Sequence, residues 1–355
     1  MTFASRFRAW VGSECQFRSI GGLAMVLVAL VFAMPCAAQT RAKGERAQRP
    51  GEIAIGIGHG IGFLPLFIAQ DLRLFEKHAK ANGLNGTLSL RRFPTAAPMR
   101  QALAKGEIAA GAYGLPAFLV ARDAARQTPQ ELLAVSGITT LPLVLLTARA
   151  DIRALDDLKL NDKIAVPMLN APQVSYLAMQ THPRFGREQV RQQVVVMPHQ
   201  DSLAALTEGN SIAAYFSSPP FTQIALKDPK VRAVASSVDI MGGKTSFLLM
   251  ASPKSVLATH PKLPEVLAKA IEEASGIIRN DPRRAAMIWL KWEPSHTLDA
   301  RNVEGALRDL KDDFGSGIFG VEATSTYLRR DSRLKAGVPN WKDVVAPALA
   351  AGQGS

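Results

Sequence analysis

The sequence predicts an α/β protein of two doubly wound lobes that are joined by two crossings of the chain. Short β-rich runs alternate with helical patterns from residue 52 to 138, and the same alternation returns after residue 148 and runs to 235. Alternation of this kind specifies mostly parallel sheets that are covered by helices on both faces. Each series spans about 90 residues, which is the size of one lobe. Extended apolar runs at 141–148 and 245–251 stand where the chain would pass between the lobes.

The predicted elements follow in chain order, and each is an apolar run bounded by turn-forming residues. The first series predicts strands at 52–58, 87–93, 108–113 and 132–138, with helices that end near 82, 105 and 126. The second series predicts strands at 163–166, 194–197, 212–216 and 231–235, with helices that begin near 172, 200 and 219. Beyond 251 the pattern is almost wholly helical.

The two apolar runs divide the chain into lobes. A crossing near 142 and a return near 245 give lobe 1 as 51–141 plus 245–355, including the C-terminal helices, and lobe 2 as 142–244. Two crossings form a hinge, and a hinge between two lobes implies a cleft.

The N-terminus has the pattern of a secretory signal peptide at 1–38. Three arginines precede an apolar run at 20–34, and small residues follow it before Gln39. The run has about fifteen residues, fewer than the roughly twenty that a permanent membrane helix needs. The polar segment 39–50 is predicted to be a flexible leader. An uncleaved anchor is the alternative, and the location expected for the mature chain is the periplasm.

The two cysteines, Cys15 and Cys36, both lie in the segment predicted to be removed. Lipid attachment at Cys36 is disfavoured because Met34-Pro35 precedes it. A mature chain without cysteine excludes disulfides, thiolate metal sites and cysteine nucleophiles.

The net charge is +12, from 42 basic and 30 acidic residues. The basic residues are scattered and aromatic residues make up only 6%, so no nucleic-acid-binding surface is predicted. The charge is interpreted as serving solubility and, second, the attraction of anionic solutes.

Four segments carry a recognisable family pattern: Phe63–Glu76, Gln101–Gly111, Tyr113–Pro116 and Asp156–Pro167. In this order they resemble the periplasmic substrate-binding proteins of nitrate, sulfonate and taurine ABC importers, a family that also includes thiamine-precursor binding proteins. Two departures are Ala109, where the family has aspartate, and the loop Pro94–Pro98 in place of a polar, glycine-bearing loop. The substrate subgroup therefore cannot be carried over.

The resemblance implies a type II periplasmic binding protein-like fold that closes on its ligand like a Venus flytrap. It implies a monomer that is not an enzyme, needs no cofactor, captures a small anionic or polar metabolite and delivers it to an ABC permease with its ATPase. The ligand itself stays open among sulfonate, nitrate, taurine and thiamine-precursor types.

Ligands of open α/β sheets bind beyond the carboxyl ends of the strands, where the loops diverge. Most of those loops here open directly onto a helix, whose free N–H groups favour an anionic or polar group. Glycines allow a close approach of the backbone, and the polar side chains can donate hydrogen bonds. His59 either pairs with an anion or is an exposed loop histidine, and Tyr113 and Phe216 either stack on a flat ligand or pack in the core. The candidate ligand-binding residues are His59, Gly60, Phe63, Thr95, Tyr113, Gly114, Gly137, Asn170, Gln173, Phe216 and Ser217.

Other functions are weighed against the same residues. The pattern G-x-G-x-x-G occurs at 315–320, but it follows a helical stretch rather than a strand, so a mobile loop is predicted there instead of a dinucleotide site. The six histidines include no i, i+4 pair and no G-x-S-x-G occurs, which disfavours a metalloenzyme or hydrolase. Pyrimidine synthases that share this fold rely on a cysteine-rich motif, which the predicted mature chain lacks because it has no cysteine. An exported receptor of a tripartite carboxylate carrier, or a sensor, remains an alternative.

Overall fold

The computed structural model describes residues 51–169, 171–185, 187–208 and 211–355. The predicted signal peptide, the predicted leader and Asn170 lie outside the described residues. Within this part of the chain, no helix is both long and apolar enough to cross a membrane.

The strands begin and end within a few residues of the predicted bounds. In chain order the strands of the described residues are β1 Glu52–Ile57, β2 Thr87–Arg92, β3 Ala110–Tyr113, β4 Leu132–Thr139, β5 Val144–Thr147, β6 Ile164–Val166, β7 Val194–Val196, β8 Ala214–Ser217, β9 Arg232–Ser236 and β10 Leu248–Pro253.

The helices follow the same order, and the helix Ser237–Met241 is one that the sequence did not predict. The helix predicted to run to residue 82 is broken at Arg73, whose φ of 58° is left-handed and cannot continue a right-handed helix. The helices are α1 Leu64–Asp71, α2 Leu74–Asn82, α3 Ala96–Ala104, α4 Leu115–Ala124, α5 Pro172–Phe185, α6 Arg187–Gln193, α7 His199–Glu208, α8 Phe221–Ala225, α9 Ser237–Met241, α10 Lys254–Thr259, α11 Leu263–Asn280, α12 Pro282–Trp292, α13 Ala300–Asp309 and α14 Val321–Arg330. Short 3₁₀ turns lie at Ile61–Phe63, Leu155–Asp157, Lys311–Asp313, Trp341–Val344 and Pro347–Leu349.

The strands form two five-stranded sheets with the same plan. The first has the order β2-β1-β3-β10-β4 and the second the order β7-β6-β8-β5-β9. In each sheet four strands share one direction, and the fourth strand in the order runs against them. The prediction of two α/β units around mostly parallel sheets is confirmed.

The single antiparallel strand of each sheet is the strand that the chain enters after it crosses from the other sheet. β5 is entered from the carboxyl end of β4, and β10 is entered after α9. The chain leaves one sheet at its carboxyl edge and enters the other sheet at the carboxyl edge that faces it. The strand that follows starts where its neighbours end, so it runs antiparallel to them. Two crossings therefore account for one antiparallel strand in each sheet.

One acidic residue connects the two crossing segments. The hydroxyl of Thr140, in the first crossing, donates to Oδ1 of Asp313 at 3.1 Å, and Nζ of Lys244, in the second, lies 3.3 Å from the same oxygen. The backbone N–H of Thr140 also donates to the carbonyl of Asp313 at 2.8 Å. The two crossings are thus fixed to each other through the turn that precedes α14.

The hydrophobic core is continuous between the two sheets. One cluster of buried side chains includes Tyr113 and Phe118 beside the first sheet and Tyr176, Leu177 and Phe216 beside the second. A second cluster fills the other face of the first sheet under α1, α2, α11 and α12, and a small third one covers the other face of the second sheet.

The segment 315–320 differs from its prediction as a mobile loop. Gly315 N–H donates to the carbonyl of Ile138, and Gly137 N–H donates to the carbonyl of Ser316 at 2.8 Å. The segment therefore covers part of the outer edge of β4, where free backbone groups would otherwise face solvent. It is a fixed part of the first sheet's edge and has no strand before it that would make a dinucleotide site.

Candidate functional site

The carboxyl edges of the two sheets meet at the starts of α4 and α5. Gly114 follows β3, and Pro172 begins α5 shortly after β6. The two residues are so close that a Cβ atom added to Gly114 would lie 2.8 Å from Cγ of Pro172. The starts of both helices therefore lie near one junction, and helix N-termini favour anionic or strongly polar groups.

Gln173 lies at this junction, next to Pro172. Its side chain is only 2% exposed, and Oε1 has no hydrogen-bond partner among the described residues. A buried polar atom without a partner costs stability, so such atoms usually have a ligand, a water or a function. Of the predicted residues, Gln173 has the clearest capacity to contact a ligand.

Tyr113 and Arg100 lie on the first-sheet side of the junction. Tyr113 ends β3, is 4% exposed and packs beside Met99 of α3 above Gly111. Burial raises the pKa of the Tyr113 hydroxyl to about 12, although the positive charge of Arg100 acts in the opposite direction. Arg100 is exposed one turn into α3, and no carboxylate in the described part of the chain pairs with it. Tyr113 is therefore a neutral packed group, whereas Arg100 is a cation without an acidic partner near the carboxyl edge.

The loop after β1 already has an acidic partner. Gly60 N–H donates to Oε1 of Glu293 at 3.2 Å, and Nδ1 of His59 lies 3.5 Å from the same oxygen. Arg92, the last residue of β2, donates to that oxygen at 2.9 Å. The groups that the sequence assigns to a ligand at this loop are thus engaged with a carboxylate of the protein itself.

Two further predicted residues lie near the same edge and differ in exposure. Thr95 is exposed at the N-cap of α3, and its side chain makes no capping hydrogen bond. Phe63 is 8% exposed and packs under Gly58 and beside Phe67, with 6.5 Å between the two ring centroids. Thr95 keeps a free surface, whereas Phe63 acts as a support for the loop after β1.

Three predicted residues are occupied by internal packing, which corrects their assignment. A Cβ at Gly137 would lie 1.9 Å from the carbonyl oxygen of Gly317, so protein backbone fills the space reserved for a ligand. Phe216 is fully buried in the core. Ser217 is fully buried as well, and its hydroxyl donates to the carbonyl of Val144 at 2.8 Å and lies 2.7 Å from the hydroxyl of Thr222. The remaining candidate, Asn170, lies outside the described residues.

The second sheet contributes a polar cluster that the sequence prediction missed. His199 begins α7, its Nε2 lies 2.9 Å from the hydroxyl of Ser218, and its Nδ1 is hydrogen-bonded to the hydroxyl of Tyr215. The ring stacks on Phe221 with 5.2 Å between centroids. Both ring nitrogens are therefore used within the protein, and burial lowers the pKa of His199 to about 4.

We expect His199 to make the stability of the protein sensitive to mild acid. The pKa of His199 is lower in the folded protein than its ordinary value of 6.5, so the unfolded chain takes up the proton first. The stabilisation is full above pH 6.5 and declines as the pH falls toward 4, with a slope of at most about 1.4 kcal/mol per pH unit for one proton. Urea unfolding of His199→Gln between pH 7 and about pH 4 is expected to show a shallower decline than the wild type.

The exposed His296 provides the control for this experiment. His296→Gln should retain the wild-type slope, since this side chain lies at the surface, outside the buried cluster around His199. Equal slopes for the wild type and His199→Gln would show that His199 is not the responsible group.

Some of the missed residues left a signal in the sequence. Arg92 is a charged residue at the end of a strand, and His199 stands three residues after the end of β7, so both occupy positions at a carboxyl edge. Glu293 left no such signal, because it is separated from Gly60 by 233 positions.

Solved structures of periplasmic binding proteins resemble this chain over most of its length. The periplasmic aliphatic sulphonate binding protein SsuA of Escherichia coli has 18% sequence identity and a TM-score of 0.65, and the match covers 86% of this chain and 100% of that one. The alkanesulfonate-binding protein SsuA of Xanthomonas axonopodis pv. citri, bound to MOPS, has 17% identity and a TM-score of 0.61 over 86% and 100% of the chains. A Candida albicans gene product with the generic periplasmic binding protein structural fold has 12% identity and a TM-score of 0.52 over 84% and 94%.

No protein-family model and no curated protein sequence matches the chain. At these low identities the structural likeness defines the fold. The chain has the periplasmic binding protein fold, and the fold that the sequence predicts is confirmed.

Proposed function

We propose that the protein is the extracytoplasmic solute-binding component of an ABC importer, which captures a small anionic or polar metabolite in the cleft between two lobes. The observation that carries the proposal is the meeting of the two carboxyl edges at Gly114 and Pro172, beside the buried, unpartnered Oε1 of Gln173. A catalytic site would need a positioned nucleophile or acid–base pair in that place. Capture rather than catalysis is the function that these groups support.

The cellular setting belongs to the same proposal. The segment 1–38 directs export and is removed, and the mature protein acts in the periplasm as a monomer. It delivers its ligand to a membrane permease that works with an ATPase. Residues 51–141 with 245–355 form one lobe, and residues 142–244 form the other.

The binding step follows from the geometry of the junction. Helices α4 and α5 both begin at the junction, Arg100 supplies a positive charge near the edge, and Gln173 supplies a buried amide. Closure of the lobes about the two crossings would bury the ligand between these groups, as hinge motion does in this fold. An anion with a second polar group fits this set better than a purely apolar molecule.

The ligand is to be sought by thermal unfolding in a panel of sulfonates, taurine, nitrate, carboxylates and thiamine precursors. A ligand that binds only the folded state raises the melting temperature by mass action, so we expect one class to raise it by several degrees. Titration calorimetry with that class is then expected to give roughly tenfold weaker binding for Arg100→Gln or Gln173→Ala, about the loss of one hydrogen bond to a charged group.

Arg301 of α13, which is also an exposed arginine, provides the matched control. Arg301→Gln should bind like the wild type. If no compound in the panel shifts the melting temperature, solute capture is contradicted. If a ligand binds but Arg100→Gln and Gln173→Ala bind it normally, the junction of α4 and α5 is the wrong site.

A further inference from the structure

The carboxylate of Glu293 accepts hydrogen bonds from two groups and lies within ion-pair distance of a third. The backbone N–H of Gly60, the guanidinium of Arg92 and the imidazole of His59 lie 3.2, 2.9 and 3.5 Å from the single oxygen Oε1. Gly60 has a φ of 108°, which side-chain-bearing residues rarely adopt, so the direction of its N–H depends on glycine. A backbone amide and an arginine that donate to one point, with a histidine beside it, are groups by which proteins bind carboxylates, sulfate and phosphate.

Arg92 is held in place for this contact. Its guanidinium carbon lies 5.0 Å from the centroid of Phe67 and 5.5 Å from that of Trp292, and the two rings are parallel and 5.0 Å apart. Its Nε is buried and has no partner in the described part of the chain. A cation stacked on two rings cannot turn to another acceptor without losing these contacts, so Arg92 stays directed at the position of Oε1.

Glu293 is itself anchored. It follows the last residue of α12, and its N–H donates to the carbonyl of Trp289 at 2.7 Å. Its side chain is 17% exposed, so the carboxylate lies at the protein surface and solvent reaches it. A tethered group competes at a high effective concentration with a free ion for the same donors.

We propose that Glu293 is a resident anion: it fills a complete anion-binding site at the carboxyl edge of β1 and β2 and keeps small free anions out of it. The ligands excluded are those of one carboxylate or tetrahedral oxyanion, such as acetate, sulfate or phosphate. His59 and Gly60 therefore contact Glu293, and a solute cannot bind to these two residues. This inference does not depend on the proposed function, since it concerns only the protein and simple anions.

The test is restoration of the missing carboxylate by acetate. Glu293→Ala leaves the Gly60 N–H and the Arg92 guanidinium without this acceptor, so its stability should rise with sodium acetate beyond the rise in sodium chloride of equal ionic strength. Acetate at ten times its dissociation constant is expected to raise the folding equilibrium constant about tenfold in urea unfolding. The wild type should respond equally to the two salts.

Two further variants make the result specific. The double variant Glu293→Ala with Arg92→Met keeps an apolar chain over the rings but removes the cation, and it should lose the response to acetate. Glu304→Ala, which removes a half-buried carboxylate that pairs with Arg308 in the described part of the chain, should show no response beyond that of the wild type.

If Glu293→Ala is insoluble in chloride, recovery of folded protein by refolding in acetate counts as the same restoration, and Glu293→Ser, which also opens the site, is measured in its place. The proposal is overturned if Glu293→Ala and Glu293→Ser respond to acetate no more than the wild type, or if the response persists with Arg92→Met.

Discussion

Replacing Glu131 by glutamine is expected to destabilise the protein by about 3–5 kcal/mol, the usual cost of removing one partner from a buried ion pair. Glu131 is 3% exposed. Its Oε1 lies 2.7 Å from the guanidinium of Arg122, and its Oε2 accepts from Lys254 at 2.8 Å and from the N–H of Gln127 at 3.0 Å. Glutamine has nearly the same shape but no charge, so Arg122, whose side chain is only 14% exposed, would be left without its counter-ion.

The same contacts give Glu131 a defined effect on acid stability. Burial alone would raise the pKa of Glu131, but the hydrogen bonds from Lys254 and Gln127 and the charges of Arg122 and Lys254 outweigh it and hold the pKa below its ordinary value of 4.5. Because the folded pKa is lowered, the stabilisation is complete above pH 4.5 and is lost as the pH falls from there through the folded pKa. Glu131→Gln should lack this loss, and its difference from the wild type should shrink below pH 4.5.

Chemical unfolding at neutral pH provides the measurement, with Glu265→Gln as the matched control. Glu265 pairs with Lys269 one helical turn away on the surface of α11, and exposed pairs of this kind contribute only about 0.3–0.5 kcal/mol. A loss for Glu131→Gln as small as that for Glu265→Gln would show that burial adds nothing to the ion pair. Glu131 precedes β4 at the end opposite the junction of α4 and α5, so ligand binding by the folded variant should be unchanged.

The strands could be predicted because their signal is local. Runs such as Glu52–Ile57 and Leu132–Thr139 are almost fully buried and end at turn residues, so composition and length are sufficient. The order of strands has no such local signal. That β10 lies between β3 and β4, separated from them by more than a hundred residues, follows from the crossings and from the packing of distant segments.

The prediction of the candidate site rested on the carboxyl-edge rule, which says that ligands of open α/β sheets bind beyond the carboxyl ends of the strands. The rule identified Gly114 and Gln173, which the structure brings to the junction between the sheets. It also identified His59 and Gly60, but it could not foresee that Glu293 would supply their partner from the C-terminal helices. Contacts with side chains from distant segments determine which groups at a sheet edge remain free. The periodicity of a single sequence does not reveal such contacts.

Gly137 shows the same limit, because a glycine indicates a close approach without indicating what approaches. The sequence assigned that approach to a ligand, whereas the structure has the backbone of the segment 315–320 there. The two assignments predict different behaviour of one variant. A ligand-contact glycine affects binding, and a packing glycine affects folding.

Gly137→Ala is therefore expected to destabilise the protein by about 3 kcal/mol, at the upper end of the usual cost of overpacking. The added Cβ would lie 1.9 Å from the carbonyl oxygen of Gly317, 2.8 Å from its carbonyl carbon and 3.0 Å from that of Ser316. These are backbone atoms that cannot rotate aside, so β4 and the segment 315–320 must separate and the bond from Gly137 N–H to Ser316 must weaken.

Gly276→Ala in α11 provides the control, because its nearest neighbour would be the end of the Arg279 side chain at 3.8 Å. In a helix this change should stabilise the protein by up to about 1 kcal/mol. Urea unfolding of both variants should thus give effects of opposite sign. Suppose instead that Gly137→Ala has wild-type stability but binds a ligand found in the panel more weakly. That result would support the sequence-based assignment of Gly137 to the ligand-binding site. Changes of opposite sign in the free energy of unfolding would assign Gly137 to packing at the edge of the first sheet. There the segment 315–320 occupies the position at which the sequence predicted a ligand.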